Sequence, residues 1–246
     1  MTNTQSAQGN HAPSGATRRE APRTLLSALG LTKSFGQTPA LVDAEFAIKP
    51  GEVVAVMGPS GSGKSTLLHC LAGIIRPDAG TVTYAGEDLF ALSDERRTSL
   101  RRGEFGFVFQ FGQLVPELSC LENVALPLRL GGIRRKQAES AAKEIMGRLD
   151  IADLGAKRPG EVSGGQGQRA AIARALITGP KVIFADEPTG ALDSLNSELV
   201  MKLLVGTAKE VNAAVVLVTH EPRVAAYSDR EVVVRDGKTR AGMVPA

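Results

Sequence analysis

Three short apolar runs stand out along the chain, at residues 53–57, 182–185 and 214–218. They are rich in valine and isoleucine, the composition of parallel strands that are buried on both faces of a sheet. Polar residues follow each of the last two runs, and a Gly- and Ser-rich stretch follows the first. In a doubly wound sheet, residues that follow parallel strands gather at the carboxyl edge, which is where ligands bind. We therefore expect a functional site at that edge.

A second group of apolar segments, at 24–35, 41–48 and 80–85, is separated by turns that contain Gly and Asp. This pattern predicts the strands of an antiparallel sheet that flanks the parallel one.

Helical patterns occupy the middle of the chain. A polar helix is expected near 93–102 and another over 137–150, and few strand signals occur before residue 181. These patterns predict an α/β fold with a mainly parallel sheet, an antiparallel β subdomain and an inserted helical subdomain over about 93–178. The folded domain is expected to cover 23–246.

The run GPSGSGKST lies between the apolar run 53–57 and a helix that begins near Ser65. Its glycines let backbone N–H groups turn toward phosphate oxygens, and the helix N-terminus adds partial positive charge. Lys64 would reach the β- and γ-phosphates of a nucleoside triphosphate, and the Ser65 hydroxyl would bind Mg²⁺. An incidental turn is the alternative, but Gly, Lys and Ser all stand in register. The predicted phosphate-binding residues of this P-loop are Gly58, Pro59, Ser60, Gly61, Ser62, Gly63, Lys64, Ser65 and Thr66. A core with this loop resembles that of P-loop NTPases, and a RecA-like fold is expected.

Asp186 and Glu187 end the second apolar run, and His220 follows the third. Beside a P-loop, Asp186 would complete the Mg²⁺ shell and Glu187 would polarise the attacking water. His220 would orient water or sense the γ-phosphate, although a lone histidine at a strand end is more often a structural hydrogen-bonding group.

The stretch Ser163-Gly164-Gly165-Gln166 precedes an apolar helical pattern, and its Ser and Gln form a capping box. A capping box does not need two glycines. A helix N-terminus that receives a triphosphate does need them, because glycine permits close approach of the backbone.

Charge and composition narrow the function further. The net charge is +3, of which Arg18, Arg19 and Arg23 against Glu20 supply +2, so little charge remains for a nucleic-acid surface. Residues 1–22 are polar and predict a disordered tail, and no signal peptide or membrane-spanning run is recognised. We expect a soluble cytoplasmic protein with two free thiols, Cys70 and Cys120. The arginines at 96, 97, 101 and 102 are interpreted as a solvated helix face, with an acidic partner as the alternative.

Taken together, these motifs resemble those of ATP-binding cassette (ABC) ATPases over residues 24–240. Ser163 to Gln166 resembles the family signature, with Val162 and Gly167 at positions where Leu and Gln are usual. The resemblance further matches Gln110 to the Q-loop, where it would contact Mg²⁺, Asp193 to the D-loop, His220 to the switch histidine, and Phe35 to the aromatic that stacks on adenine. Phe35 could equally be a core aromatic.

The resemblance implies an ATPase that works as a head-to-tail homodimer with two ATP molecules at the interface, with the signature of one subunit completing the site of the other. The segment 114–128 resembles the lipoprotein-releasing, macrolide-exporter and cell-division branch, whose partner is a membrane permease with a large extracytoplasmic domain. The chain would then lie at the inner face of the cell membrane. An apolar cluster of Phe111, Leu114, Val115 and Leu118 is predicted to form part of the permease groove. A soluble ABC-type ATPase acting on DNA or ribosomes is the alternative.

Overall fold

A computed structural model describes residues 24–241 of the chain, so the predicted tail at 1–22 lies outside the described residues. The predicted strands at 24–35, 41–48 and 80–85 are found with slightly shifted ends, and the three buried apolar runs are all strands. The strands are β1 (Leu26–Phe35), β2 (Thr38–Ile48), β3 (Val53–Met57), β4 (Ala79–Tyr84), β5 (Glu87–Asp88), β6 (Phe105–Phe109), β7 (Val182–Asp186), β8 (Ala214–Val218), β9 (Arg230–Arg235) and β10 (Lys238–Ala241).

The helices include the two that the sequence places near 93–102 and over 137–150. No helix among residues 24–241 is long and apolar enough to cross a membrane. The α-helices are α1 (Lys64–Leu71), α2 (Asp94–Gly103), α3 (Cys120–Leu130), α4 (Arg135–Arg148), α5 (Gly164–Leu176), α6 (Ser194–Glu210) and α7 (Pro222–Ala225), and short 3₁₀ helices cover Ala152–Leu154 and Pro159–Glu161.

A six-stranded sheet with the order β10-β9-β3-β8-β7-β6 forms the centre of the molecule. All neighbouring strands in it run parallel except β10, which is antiparallel to β9. The pairing register places Phe109 opposite Asp186, Asp186 opposite Val218, and Val56 opposite Val218. Four strands therefore end in one row, and the residues that follow them share the carboxyl edge of the sheet, as the sequence predicts.

The second sheet, β2-β1-β4-β5, is antiparallel throughout and packs against α1 and one face of the central sheet. Alternate residues of the central strands point to opposite faces. Val54 and Val216 lie in the apolar core on the side of the antiparallel sheet, whereas Val53 and Val215 lie in the core on the side of the helical region. The alternation explains why both faces of these strands are apolar.

Strand β6 is an element that sequence analysis did not find, since few strands were expected before residue 181. It lies inside the predicted helical segment 93–178 but belongs to the central sheet, beside β7. The strand pattern is weak in the sequence because Gly106 interrupts it. The position requires glycine, since a Cβ atom there would lie 2.5 Å from the carbonyl oxygen of Ala175 in α5. The close packing of α5 on the sheet edge depends on this residue.

The segment between β6 and α3 has no regular structure, and Asn123 of α3 holds it in place. Asn123 is fully buried, and its Oδ1 accepts a hydrogen bond of 2.7 Å from the backbone N–H of Val115. Its Nδ2 lies within 3.2 Å of the carbonyl oxygens of Val115, Leu118 and Ser119. One side chain therefore satisfies backbone groups that a helix or strand would otherwise satisfy.

We predict that Asn123→Ala lowers the free energy of unfolding by about 2–4 kcal/mol, because it leaves several buried backbone groups without a partner. Urea unfolding followed by circular dichroism would measure the change. The control is Gln137→Ala on the exposed face of α4, which we expect to change stability by less than about 0.5 kcal/mol. Equal stabilities of the two variants would contradict the role assigned to Asn123.

Candidate functional site

A cleft of about 620 Å³ opens at the carboxyl edge of the central sheet. It brings together most of the residues that the sequence predicts for a nucleotide site, and it adds Ala40, which the sequence analysis missed. The lining residues are Phe35, Ala40, Pro59, Ser60, Gly61, Gly63, Lys64, Ser65, Thr66, Gln110, Glu187 and His220.

The P-loop joins β3 to α1 and forms the floor of this cleft. Gly63 is the N-cap of α1 and has φ +106°, and a Cβ atom on it would lie 2.2 Å from the carbonyl oxygen of Ala40. Only glycine fits that position, which also explains why Ala40 belongs to the site. Lys64 Nζ donates to the carbonyl oxygens of Gly58 and Pro59, both at 2.9 Å. The ammonium group is thus held over the loop, where phosphate oxygens would gather.

Asp186, the last residue of β7, lies next to Ser65 in the first turn of α1. The Ser65 hydroxyl donates to Asp186 Oδ1 at 3.2 Å, and burial raises the pKa of Asp186. Gln110 lies in the same cleft and adds a side-chain amide oxygen. Hydroxyl, carboxylate and amide oxygens suit a hard cation such as Mg²⁺, and a bound cation would offset the burial of the Asp186 charge. The donor set therefore fits the predicted metal.

Glu187 and His220 are paired in the cleft, with Glu187 Oε1 2.8 Å from His220 Nδ1. Glu187 has φ +48°, which is unusual for a residue with a side chain. Two hydrogen bonds hold its backbone in this conformation. The Glu187 N–H donates to the Val218 carbonyl at 2.9 Å, and the Glu187 carbonyl accepts from the Gly190 N–H at 3.1 Å. Such strain at the mouth of a cleft is typical of functional residues.

Phe35 ends β1 at the rim of the cleft and is 53% exposed. The alternative in which this residue is a core aromatic therefore does not hold. Lys33 Nζ lies 5.7 Å from the centroid of its ring. An exposed aromatic face beside a phosphate loop can stack on a nucleotide base.

The signature residues lie outside this cleft. Ser163 is the N-cap of α5, and the expected capping box is present: the Ser163 hydroxyl accepts from the Gln166 N–H, and Gln166 Oε1 accepts from the Ser163 N–H. Ser163 and Gly164 are exposed and border a separate depression of about 220 Å³ next to Gln110. Within one subunit, the N-terminus of α5 therefore does not line the nucleotide cleft.

Gly165 has a packing role against α6 that the sequence analysis did not predict. Gly165 is buried, and a Cβ atom on it would lie 2.7 Å from Oδ1 of Asn196 in α6. Asp193 is the N-cap of α6 and accepts hydrogen bonds from the backbone and side chain of Asn196, which lower the pKa of its carboxyl group. Gly165 is thus required by packing within the subunit, whereas Gly164 faces solvent.

Comparison with known proteins agrees with this geometry. The family model described as ABC transporter matches residues 41–190. The chain belongs to this family. Its cassette also resembles the solved dimeric structure of MJ0796, a bacterial ABC transporter cassette, with 37% sequence identity, a TM-score of 0.83, and coverage of 90% of this chain and 100% of that one. A second structure of the same cassette, a dimer in a post-hydrolysis state bound to ADP and Pi, gives a TM-score of 0.82.

Relatives of this ABC protein include two kinds of named protein. One is the lipoprotein-releasing system ATP-binding protein LolD of Geobacter metallireducens, 42% identical over 222 residues, which cover 89% of this chain and 99% of that one. The other is the macrolide export ATP-binding/permease protein MacB of Chromobacterium violaceum, 45% identical over 205 residues, which cover 82% of this chain but 31% of that one. The predicted family and branch are confirmed, and the chain is an ABC-type ATPase.

We predict that Lys64→Ala weakens ATP binding by about a hundredfold or more without unfolding the protein, because it removes a charge-assisted contact to phosphate. Titration with fluorescently labelled ATP would measure the affinity. Lys202→Ala is the matched control, since that lysine is exposed on α6 and pairs with Glu198. If the Lys64→Ala protein is folded and binds ATP like the control, the P-loop assignment is wrong.

Proposed function

We propose that the protein is the ATP-hydrolysing cytoplasmic subunit of a membrane transport or mechanotransmission complex, and that it works as a head-to-tail homodimer. The observation that carries this proposal is the separation of the nucleotide cleft from the exposed signature at Ser163 in the same subunit. Each subunit presents half of a site. A second copy, turned around a two-fold axis, would place its Ser163 over the cleft of the first.

The residues of the cleft divide the chemistry of hydrolysis between them. Lys64 and the P-loop N–H groups bind the phosphates, and Phe35 stacks on the base. Glu187 orients and polarises the attacking water, and His220 holds the Glu187 carboxylate through their hydrogen bond. Ser65, Asp186 and Gln110 would hold Mg²⁺, which supplies positive charge beside the phosphates when it is bound.

Binding of ATP would join the two subunits, because the γ-phosphate then contacts residues of both. Hydrolysis and release remove those contacts, and the subunits separate. The energy of binding is thereby converted into motion of whatever is attached to the subunits.

We predict that Glu187→Gln slows ATP hydrolysis by about a hundredfold or more while ATP still binds, because the amide keeps the shape but not the basicity of the carboxylate. Trapped ATP should then hold the dimer together. Light scattering should give a dimer mass in ATP and a monomer mass in ADP. Adding Ser163→Arg to this variant should abolish the dimer, since a bulky side chain would block the approach of α5 to the nucleotide.

Two outcomes would contradict this arrangement. One is a Glu187→Gln protein that remains monomeric in saturating ATP at protein concentrations up to about 100 μM, at which a dimer with a Kd of about 10 μM or lower would be mostly assembled. The other is a dimer that forms equally well after the Ser163→Arg substitution. Lys143→Arg on α4 serves as a control for adding a guanidinium group at an exposed position.

We further propose that the partner is a membrane permease with a large extracytoplasmic domain, which holds this subunit at the inner face of the membrane. The support is the similarity to proteins named for lipoprotein release and macrolide export. In particular, the chain matches 31% of a relative whose name includes both ATP-binding and permease functions.

The permease would dock in an apolar cleft of about 660 Å³ between α2, β6, α3 and α5. The four residues predicted for docking do not line it; Phe111 and Leu114 border the depression at the signature instead. Much of the lining is apolar and includes Phe107, Leu126 and the 63% exposed Leu130. Three cationic side chains also line the cleft, those of Arg101, Arg102 and Arg174. An amphipathic cytoplasmic helix with acidic residues has the complementary chemistry.

We predict that Leu130→Asp abolishes co-purification with the permease and stimulation by it, because a charge would be buried in the apolar contact. ATP binding by the isolated subunit should not change, since Leu130 lies outside the nucleotide cleft. Leu195→Asp is the control, because Leu195 is 79% exposed on α6 but lies outside this cleft. Survival of both assembly and stimulation in Leu130→Asp would place the docking surface elsewhere.

A further inference from the structure

Helix α5 carries the signature at its N-terminus, and further along it contacts the segment that contains Gln110. That segment, residues 110–113, follows β6 and leads toward α3. Its only residue inside the nucleotide cleft is Gln110, and the next residue, Phe111, is 76% exposed. The backbone on either side of Gln110 is held by side chains of α5.

The first of these side chains is Gln168, which is buried. Its Nε2 donates to the carbonyl oxygen of Phe109 at 2.9 Å, and the same carbonyl also accepts from the Gly112 N–H at 2.9 Å. The residue before Gln110 is therefore tied both to α5 and across the turn. This contact fixes the point at which the chain leaves the sheet.

The second side chain is Arg174, whose guanidinium group binds the turn on the C-terminal side of Gln110. Its Nη2 donates to the carbonyl oxygen of Gly112 and its Nη1 to that of Gln113, both at 2.7 Å. Gly112 and Gln113 both have positive φ, +67° and +46°, so two successive left-handed residues point their carbonyls at one planar group. The planar guanidinium group of an arginine can donate to both carbonyls at once, whereas the ammonium group of a lysine does not match this geometry.

Arg174 makes no ion pair among the described residues, and burial lowers the pKa of its guanidinium. The side chain is partly buried beside the apolar cleft, and its two carbonyl contacts offset the cost of removing part of this charge from water. The two contacts of 2.7 Å hold the guanidinium group and the turn together.

The Gln110 side chain lies close to Gly190. Gly190 lies in the turn after β7, three residues beyond Glu187. A Cβ atom on Gly190 would lie 2.7 Å from Gln110 Nε2. The Gln110 side chain thus rests against the backbone that also carries Glu187. A small shift of the turn would change the distance of Gln110 from the other oxygen ligands of the cleft.

We propose that Arg174 is a positioning residue for Gln110: by holding the carbonyls of Gly112 and Gln113, it sets the place of the Gln110 amide beside the Mg²⁺ and the attacking water. The proposal rests on the role given to Gln110 under the proposed function. It assigns to the end of α5 a part in hydrolysis that is separate from the signature at the start of the same helix.

The chain supplies a matched control on the same helix. Arg169 also donates to two successive carbonyls, those of Leu149 and Asp150, but through a single nitrogen, Nη1, and at the longer distances of 3.3 and 3.2 Å. Asp150 is likewise left-handed, with φ +53°. That turn ends α4 and lies outside the nucleotide cleft. Arg169→Met therefore removes a guanidinium group of the same helix that also binds a left-handed turn, without touching the segment of Gln110.

The experiment compares Arg174→Met, Arg174→Lys and Arg169→Met in the purified full-length chain without a membrane partner. For Arg174→Met we expect kcat to fall by about ten- to a hundredfold, since small displacements of positioned groups have effects of that size. The Mg²⁺ concentration for half-maximal rate should rise, whereas the affinity for ATP measured in EDTA should not change. Arg174→Lys should recover part of the rate, and Arg169→Met should match the wild type.

A double-mutant cycle with Gln110→Ala decides between positioning and general support. If Arg174 acts through Gln110, adding Arg174→Met to Gln110→Ala should lower kcat by less than about twofold, because the group being positioned is already absent. Equal losses in the two backgrounds would overturn the proposal, as would a wild-type rate in Arg174→Met or an equally slow Arg169→Met. Should Arg174→Met fail to fold, the same cycle is run with Arg174→Lys.

Different results would show that the proposed function itself is wrong. A wild-type chain without ATPase activity, or a Gln110→Ala variant as fast as the wild type, would refute the role of Gln110 and with it that of Arg174. A slow Gln110→Ala variant combined with additive losses would refute the positioning role of Arg174 alone.

Discussion

The in-register parallel pairing of β6, β7, β8 and β3 is the constraint on which the rest of the molecule depends. Because Phe109, Asp186, Val218 and Val56 lie in one row, the chain leaves all four strands at the same edge. Segments distant in sequence thereby converge within one cleft. A shift of one residue in any pair would also turn the apolar side chains of that strand to the opposite face, so packing on both faces holds the register.

The residues that leave this edge cannot use sheet hydrogen bonds, and their backbone groups must find other partners. In the P-loop, backbone carbonyls accept hydrogen bonds from the Lys64 ammonium group. The backbone of Glu187 is hydrogen-bonded to the backbone of β8 and of Gly190. For the long segment after β6 the partners are side chains of α3 and α5, chiefly the buried Asn123 and the half-buried Arg174. The precision of the site therefore comes as much from these side chains as from the sheet.

Several parts of this arrangement could be predicted from sequence, and others could not. The P-loop, the carboxylates after β7 and the capping box at Ser163 each consist of neighbouring residues whose chemistry is local. Strand β6 was missed because its pattern is interrupted by Gly106, whose need for glycine comes from α5. Ala40 and Asn196 were missed because an alanine and an asparagine carry no signal of their own. Each matters through contact with a glycine distant in the chain, Gly63 and Gly165 respectively.

By itself, the sequence determined the kinds of group at the site and the strands that carry them, because strand pattern, glycine position and helix capping are properties of short segments. Only the tertiary structure decided which groups share a cleft. It put Phe35 at the rim rather than in the core, placed the exposed signature outside the nucleotide cleft of its own subunit, and set Gln110 between Gly190 and the clamp of Arg174. These outcomes depend on packing between distant elements, where a few tenths of an ångström separate a contact from a clash, and no local pattern encodes such distances.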